Sequence, residues 1–230
     1  MIRIFAGYDP NEAAGYHVFC HSVLTRASEP VSITPIASNT FAWWKRTNTE
    51  DHKGATEFSF ARFLVPYLCD YSGHAIFMDG SDMLCMGDVA ELWAMRSHRH
   101  AVQCVKHPDY EPTKIKMWDQ QNRKYHRKNW SSVMIMNCDY HHSHILTPEK
   151  VASASGAYLH QFQWTTDDRI GELPPEWNVL LGEQEIPQTS KLLHFTLGLP
   201  PVHANVVDSL WRAELRKMNH VTDFLKQEVA

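Results

Sequence analysis

The chain has 230 residues, of which 43% are apolar and 21% are charged. This composition is that of a globular protein with enough apolar side chains to cover both faces of a sheet, and it excludes a disordered chain. The 22 basic and 26 acidic side chains give a net charge of -4, which excludes a general attraction to nucleic acid or anionic lipid.

Targeting signals and membrane spans are not expected. The sequence has no stretch of about 18 uncharged apolar residues, so it predicts no transmembrane helix, while peripheral membrane contact stays open. The first apolar run is too short for a signal peptide, because Gly7, Asp9 and Pro10 interrupt it. The five cysteines form no C-x-x-C pair and are expected to be reduced core thiols. These features predict a cytoplasmic protein.

Strand and helix patterns alternate along the chain. In the first half we predict helices at 12–25 and 58–68 and strands at 2–6, 31–36 and 75–78. In the second half we predict a polar segment at 107–129, helices at 89–95 and about 205–226, and strands at 101–105, 133–137 and 192–195. This alternation predicts one α/β domain over residues 1–230, with a mostly parallel central sheet flanked by helices.

Two carboxylates directly follow the predicted strand 75–78. Asp79 and Asp82 lie where ligands bind in open α/β sheets, outside the carboxyl end of a strand. Neighbouring carboxylates repel each other unless a cation lies between them, and oxygen ligands favour magnesium or manganese. Such a metal can neutralise the diphosphate of a sugar nucleotide as it leaves. The alternative is that both residues serve only in a turn and a helix cap.

The segment IFMDGSDMLCMGDVAELW resembles the metal motif of glycosyltransferase family 8, an Asp-x-Asp followed by an apolar stretch and D-I-x-E-L. Four further blocks are similar to motifs of this family and occur in its order: EFSFARFLVPYL, NWSSVMIMNC, TDDRIGELPPEWNVL and HFTLG. The family includes glycogenin-like proteins and bacterial lipopolysaccharide galactosyl- and glucosyltransferases. The resemblance covers most of the chain from Met1 to Gly198.

This resemblance implies a GT-A type fold and a hexosyltransferase that uses manganese or magnesium. It implies transfer from a nucleotide diphosphate sugar, usually a UDP-sugar, with retention at the anomeric carbon. The acceptor, whether a glycan, a lipid-linked sugar or a protein, stays open, as does the oligomeric state. By position in the motifs, the metal ligands would be Asp79, Asp82 and His194. The donor-binding residues would be Ala6, Tyr8, Asp9, Arg62 and Gly198.

The sequence departs from the family pattern at two points. Gly80 and Ser81 both separate the carboxylates, where the family has one residue. Either the geometry is altered or one carboxylate leaves the metal, in which case we expect Asp82 to remain. The late motif lacks the family's lysine, so another cation must meet the diphosphate charge. The candidates are Lys106, Arg123 and Lys128, of which we assign Lys128 to the donor site.

Retention requires an acidic or amide group beside the transferred sugar. Asp167 and Asp168 lie in the segment that is similar to the family's D-Q-D region, and both are candidate catalytic residues. We prefer Asp168, because alignment with the following L-P-P-E-W-N run gives it the final aspartate of the motif. The alternative is that the pair only turns the chain ahead of Gly171.

Other functions stay open beside this one. A nucleotide-sugar-binding protein without transferase activity would keep the same site. The segment 114–130 alternates basic and aromatic residues, as nucleic-acid binding requires, but the acidic chain makes this the weaker interpretation. The three histidines after the strand at 133–137 lack a cysteine pair and fit a zinc site poorly: His141, His142 and His144.

Overall fold

The computed structural model describes residues 1–48, 56–112, 124–199 and 206–227, with the side chains of the last helix described at 208–218 only. The strands of these residues are β1 (Ile2–Gly7), β2 (Val31–Ile36), β3 (His74–Met78), β4 (Met83–Cys85), β5 (Val102–Cys104), β6 (Val133–Asn137), β7 (Ile170–Glu172), β8 (Val179–Leu180) and β9 (Leu192–His194). The α-helices are α1 (Ala13–Leu24), α2 (Val65–Leu68), α3 (Val89–Ala94), α4 (Pro148–Ser153), α5 (Gly156–His160) and α6 (Val206–Gln227).

The central sheet has six strands in the order β2-β1-β3-β6-β5-β7. Five of these strands run in one direction, and β6 runs antiparallel to its neighbours β3 and β5. The predicted α/β class and mostly parallel central sheet are therefore confirmed. Within the described part of the chain, no helix combines the length and hydropathy needed to cross a bilayer.

Both faces of the central sheet are covered. Successive side chains of a strand point to opposite faces, so Phe77 and Met134 enter one apolar core while Ile76 and Ile135 enter the other. This burial on two sides explains why the central strands are almost continuously apolar. It also leaves the strand ends as the places where polar side chains can gather.

The predicted helix at 58–68 is shorter and more tightly wound than expected. A 3₁₀ turn over Ala61–Leu64 precedes the four residues of α2. Pro66 has no N–H with which to reach the carbonyl of Arg62, and the Val65 N–H bonds to that carbonyl instead. The strands β4, β7 and β8 and the helices α4 and α5 were not predicted. Strand β8, with two residues, is too short to show an alternating pattern.

A second, three-stranded sheet with the order β4-β9-β8 joins distant parts of the chain. Strands β4 and β9 are antiparallel, with Met83 opposite His194. The Phe195 N–H also donates to the carbonyl of Asp82 at 2.8 Å. This register fixes His194 beside Asp82, which lies 112 residues earlier in the sequence.

The turn at 79–82 links the two sheets and is held from two sides. Gly80 has a φ of +71°, in the left-handed region that favours glycine. On one side, the Ser81 hydroxyl donates to the carbonyl of Gly7 at 3.0 Å. On the other, α1 passes so close that a Cβ on Gly15 would lie 1.9 Å from the carbonyl oxygen of Ser81. Both β1 and α1 therefore fix the backbone of this turn.

Helix α6 is tied to α1 through a buried carboxylate. The side chain of Glu214 is 2% exposed, and its oxygens lie 2.7 Å from His21 Nδ1 and 2.8 Å from Arg26 Nη2. Burial alone raises the pKa of this carboxyl, but the hydrogen bonds from Arg26 and His21 outweigh it and lower the pKa from 4.5 to about 2. Trp211 adds an apolar contact with the core between α1 and the small sheet.

We expect Glu214→Gln to reduce stability in a pH-dependent way. Because the folded-state pKa lies below the ordinary value, the charged Glu214 stabilises the fold above pH 4.5, and this contribution disappears as the pH falls from 4.5 to about 2. At neutral pH the variant should melt about 4 °C or more below the wild type, as expected for a loss of about 2 kcal/mol. The difference should shrink below pH 4.5.

Circular dichroism melts of both proteins from neutral pH down to about pH 3 measure this effect. Glu29→Gln is a matched control, because Glu29 is exposed and should show no such dependence. A difference between Glu214→Gln and wild type that stays constant across this range would contradict the assigned role of the charge.

Candidate metal centre

Three side chains from the two sheets converge at the end of β3. Asp79, Asp82 and His194 each offer one ligand atom, and these atoms lie within 4.8 Å of one another. His194 Nε2 is 3.2 Å from Asp82 Oδ2 and 3.8 Å from Asp79 Oδ2. The structure thus brings together the three residues that the sequence singled out, and their binding of a metal stays a proposal.

Although Gly80 and Ser81 lie between Asp79 and Asp82 in the sequence, the two carboxylates lie close together in space. The Ser81 N–H donates to the carbonyl of Asp79 at 2.8 Å, and the Met83 N–H donates to the carbonyl of Gly80 at 3.0 Å. These bonds tighten the turn so that both carboxylates face His194. The side chain of Asp82 is 22% exposed and that of His194 only 3%, so the cluster opens to solvent on the Asp82 side.

Arg62 lies against the carboxylate of Asp79. Its Nη1 is 2.6 Å from Asp79 Oδ1, while Oδ2 of the same carboxylate faces His194. The guanidinium also donates to the carbonyls of Ser59 and Ser131 and lies over the ring of Phe77. A bond to a fixed guanidinium holds a carboxylate in one orientation. Arg62 therefore positions Asp79, and a direct contact with the donor stays a prediction.

Behind His194, on the side away from the carboxylates, lies a buried amide. His194 Nδ1 is 3.0 Å from Asn178 Oδ1, and Asn178 is fully buried. Asn178 Nδ2 lies 2.8 Å from Ser132 Oγ and 3.0 Å from His107 Nε2. Burial lowers the pKa of His107 to about 4, so its ring is neutral and can accept a hydrogen bond. Sequence reasoning gave no role to Asn178, although it ends the quoted L-P-P-E-W-N run.

The donor set suits a divalent cation. Two carboxylate oxygens and one imidazole nitrogen are acceptable ligands for manganese or magnesium. All three groups can direct a lone pair at one point, and the bond from His194 Nδ1 to Asn178 directs the other ring nitrogen toward that point. The residues present therefore fit the metal that the family resemblance implies.

The loop after β1 adjoins the turn that carries the carboxylates. Ala6 is fully buried, and Tyr8 is half-buried with its ring 5.2 Å from that of Tyr16. The carboxylate of Asp9 accepts hydrogen bonds from the backbone N–H groups of Asn11 and Glu57. Asp9 thus shapes this loop, and contact of these residues with a nucleotide base stays a prediction.

Lys128 lies on a strained turn that is bonded to the site. Its neighbours Arg127 and Asn129 have φ values of +59° and +62°, which cost energy for residues with a side chain. Lys128 is buried, with Nζ 4.6 Å from the centre of the Tyr125 ring. The chain then continues to Ser132, whose carbonyl accepts the N–H of Asp79 at 2.9 Å. This connection keeps Lys128 a candidate for the diphosphate.

The remaining candidate cations and donor residues have separate positions. Lys106 Nζ lies 5.9 Å above the ring of Trp130. Gly198 stands in a turn after β9, with a φ of +125° and its N–H bonded to the carbonyl of Phe195. Arg123 falls outside the described residues, as does most of the basic and aromatic segment 114–130. The nucleic-acid interpretation of that segment therefore stays untested.

Asp167 and Asp168 precede the N-terminal end of the edge strand β7, whereas Asp79 follows the C-terminal end of β3. Both carboxylates are exposed, at 82% and 67%. Asp167 pairs with Arg127, and Asp168 accepts from Thr166 and pairs with Arg169. These contacts do not join them to the metal cluster, and their catalytic role stays a prediction from the resemblance.

The histidines at 141, 142 and 144 have other contacts. His142 Nδ1 lies 2.7 Å from Thr165 Oγ1, and the ring of His144 stacks on Tyr71. Among the described residues, Asp79, Asp82 and His194 form the only group of three or more histidine, cysteine, aspartate or glutamate side chains with metal-binding geometry.

Three solved structures with a similar fold are glycosyltransferases. GlyE of Streptococcus pneumoniae TIGR4 is 14% identical with a TM-score of 0.59, over 93% of this chain and 60% of its own. The galactosyltransferase LgtC, solved with donor and acceptor sugar analogs, is 13% identical with a TM-score of 0.54, over 94% and 96%. The bifunctional glycosyltransferase WbbM is 13% identical with a TM-score of 0.55, over 84% and 45%. The chain thus spans about half to three fifths of WbbM and GlyE, and the likeness shows a GT-A fold.

Sequence comparison gives the family. No protein-family model matches the chain. Protein CDI of Arabidopsis thaliana is 42% identical over 209 residues, which cover 86% of this chain and 78% of that protein. Identity at this level over most of both sequences shows common descent, and the chain belongs to the family of Protein CDI.

Proposed function

We propose that this protein is a metal-dependent glycosyltransferase that transfers a hexose from a nucleotide diphosphate sugar, with UDP as the favoured nucleotide, and retains the anomeric configuration. The observation that carries the proposal is the convergence of Asp79, Asp82 and His194 within 4.8 Å at the carboxyl end of β3. In open α/β sheets this is where ligands bind. The GT-A fold supports the same proposal.

The roles of the residues follow from their positions. Asp79, Asp82 and His194 would hold manganese or magnesium, and Arg62 orients Asp79. The metal would supply charge neutralisation for the departing diphosphate. Lys128 would add a positive charge beside the same group, in place of the lysine that the late motif lacks. Ala6 at the end of β1, with Tyr8 and Asp9 in the loop that follows, would seat the base, and Gly198 would let the late turn approach the donor closely.

Partners and location are part of the proposal. The donor is a nucleotide sugar, and the acceptor is a glycan, a lipid-linked sugar or a protein. We propose a single domain over residues 1–230 with no nucleic-acid partner, and a cytoplasmic location.

Binding of the donor should depend on the metal. The diphosphate and the two carboxylates repel each other unless a cation lies between them, so UDP should bind tightly with manganese and at least about tenfold more weakly with a chelator. Isothermal calorimetry with UDP and with UDP-sugars, in manganese or in EDTA, measures this difference. Equal affinity in both conditions would remove the metal from the proposal.

Asp82→Asn should abolish turnover while the fold persists. The amide keeps the shape of the carboxylate but not its charge, so manganese binding should weaken and metal-dependent hydrolysis of the donor should fall by about 100-fold or more. The readout is release of free UDP from a panel of nucleotide sugars, which requires no acceptor. Asp139→Asn is the matched control, because Asp139 is exposed and follows the C-terminal end of β6, which is the end of that strand away from the metal cluster. Hydrolysis at the wild-type rate in Asp82→Asn would rule out the assignment.

Asp168→Ala tests the catalytic assignment drawn from the resemblance. If this carboxylate acts on the transition state, its removal would slow turnover and leave donor and metal affinity intact. We expect Asp168→Ala to turn over at least about tenfold more slowly with unchanged donor affinity. The steady-state rate and the donor affinity measure this effect. Turnover within about twofold of the wild type, as for an ordinary surface substitution, would return this exposed residue, bonded to Thr166 and Arg169, to a role in the turn.

A further inference from the structure

We propose that Asn178 is a positioning residue that fixes which ring nitrogen of His194 is presented to the divalent cation. The inference rests on the proposed function, because it concerns the same metal centre. It assigns a role to a residue that does not touch the metal or the donor.

The orientation of the Asn178 amide is determined by its surroundings. One end of the amide lies near Ser132 Oγ at 2.8 Å, His107 Nε2 at 3.0 Å and the carbonyl oxygen of Asn129 at 3.3 Å. The carbonyl oxygen can only accept, and the Ser132 hydroxyl already donates to that same carbonyl at 2.7 Å. This end is therefore the NH₂ group, which donates to its neighbours.

The other end of the amide must then be the carbonyl oxygen, and it faces His194 Nδ1 at 3.0 Å. An oxygen that only accepts requires a proton on Nδ1. In a neutral imidazole the second nitrogen then carries the lone pair, and that nitrogen, Nε2, faces the carboxylates of Asp79 and Asp82. A reversed amide would favour a proton on Nε2, which would donate to Asp82 and block the ligand position.

Asn178 is held in place by apolar residues of its own segment. Trp177, which precedes Asn178, is fully buried in the apolar core that also contains Ile76 and Ile135. Strand β8 begins at Val179, directly after Asn178. Leu180 of β8 pairs with His194 of β9, so the same short segment supplies both the amide and the strand that supports the histidine. The amide and the ring therefore cannot shift independently.

Two substitutions at Asn178 separate positioning from packing. Asn178→Leu removes the acceptor for Nδ1–H at similar size, so the proton should move wholly or partly to Nε2 and manganese affinity should fall by about 10- to 100-fold. Asn178→Asp keeps an oxygen for Nδ1–H, and its second oxygen can accept from His107 in the Nε2–H tautomer, or from the Ser132 hydroxyl once that hydroxyl turns away from the carbonyl of Asn129. We expect Asn178→Asp to retain the wild-type tautomer and most of the manganese affinity. Asn137→Leu, at another buried asparagine outside the site, is the matched control and should change neither.

The tautomer is read by ¹⁵N NMR of histidine-labelled, metal-free protein at about pH 9, where an imidazole is neutral. The His194 resonances are identified by their loss in His194→Gln. A proton on Nε2 in the wild type, or an unchanged tautomer and manganese affinity in Asn178→Leu, would overturn the inference. If Asn178→Leu does not fold, the wild-type tautomer and the Asp variant decide. A wild type that carries the predicted tautomer but binds no manganese would reject the proposed function and leave the positioning role intact.

Discussion

Repulsion between two carboxylates on one short turn is the constraint on which the rest of the site depends. Hydrogen bonds within the turn at 79–82 bring Asp79 and Asp82 together. The turn cannot relax, because β1 accepts a hydrogen bond from Ser81 and α1 packs directly against the turn's backbone. The charges must therefore be compensated where they stand. Arg62 compensates one side of Asp79, and His194 faces the inner oxygens of both carboxylates.

Each part of the fold contributes one element of this site. The central sheet delivers the turn at the end of β3, and its two apolar cores make that end rigid. The segment before β6 fixes Arg62 through the carbonyl of Ser131 and supports the amide of Asn178 through Ser132. The small sheet delivers His194. A site built in this way on strands and on short tight turns is held more precisely than one on long loops.

The sequence revealed the parts of this arrangement that depend on local pattern. The apolar run before Asp79 and the spacing of the motif blocks were enough to predict the fold class and the three converging residues. Strand β8 has only two residues, which is too few to show an alternating pattern, and it was not predicted. The roles of Arg62 and Asn178 could not be predicted either, because both act through contacts with residues far away in the sequence. The catalytic role of Asp167 and Asp168 rests on the similarity of one short segment and stays a prediction.

The pairing of β4 with β9 has a consequence for the order of assembly. The turn at 79–82 and its supports from β1 and α1 are complete within the first 85 residues, yet His194 joins them across a gap of 112 positions. Closing so long a loop is entropically costly, and contacts of this range form slowly in folding. During synthesis from the N-terminus, the acidic turn would thus exist before its imidazole partner is made. The proposed cation site is therefore complete only once β9 has docked, late in folding.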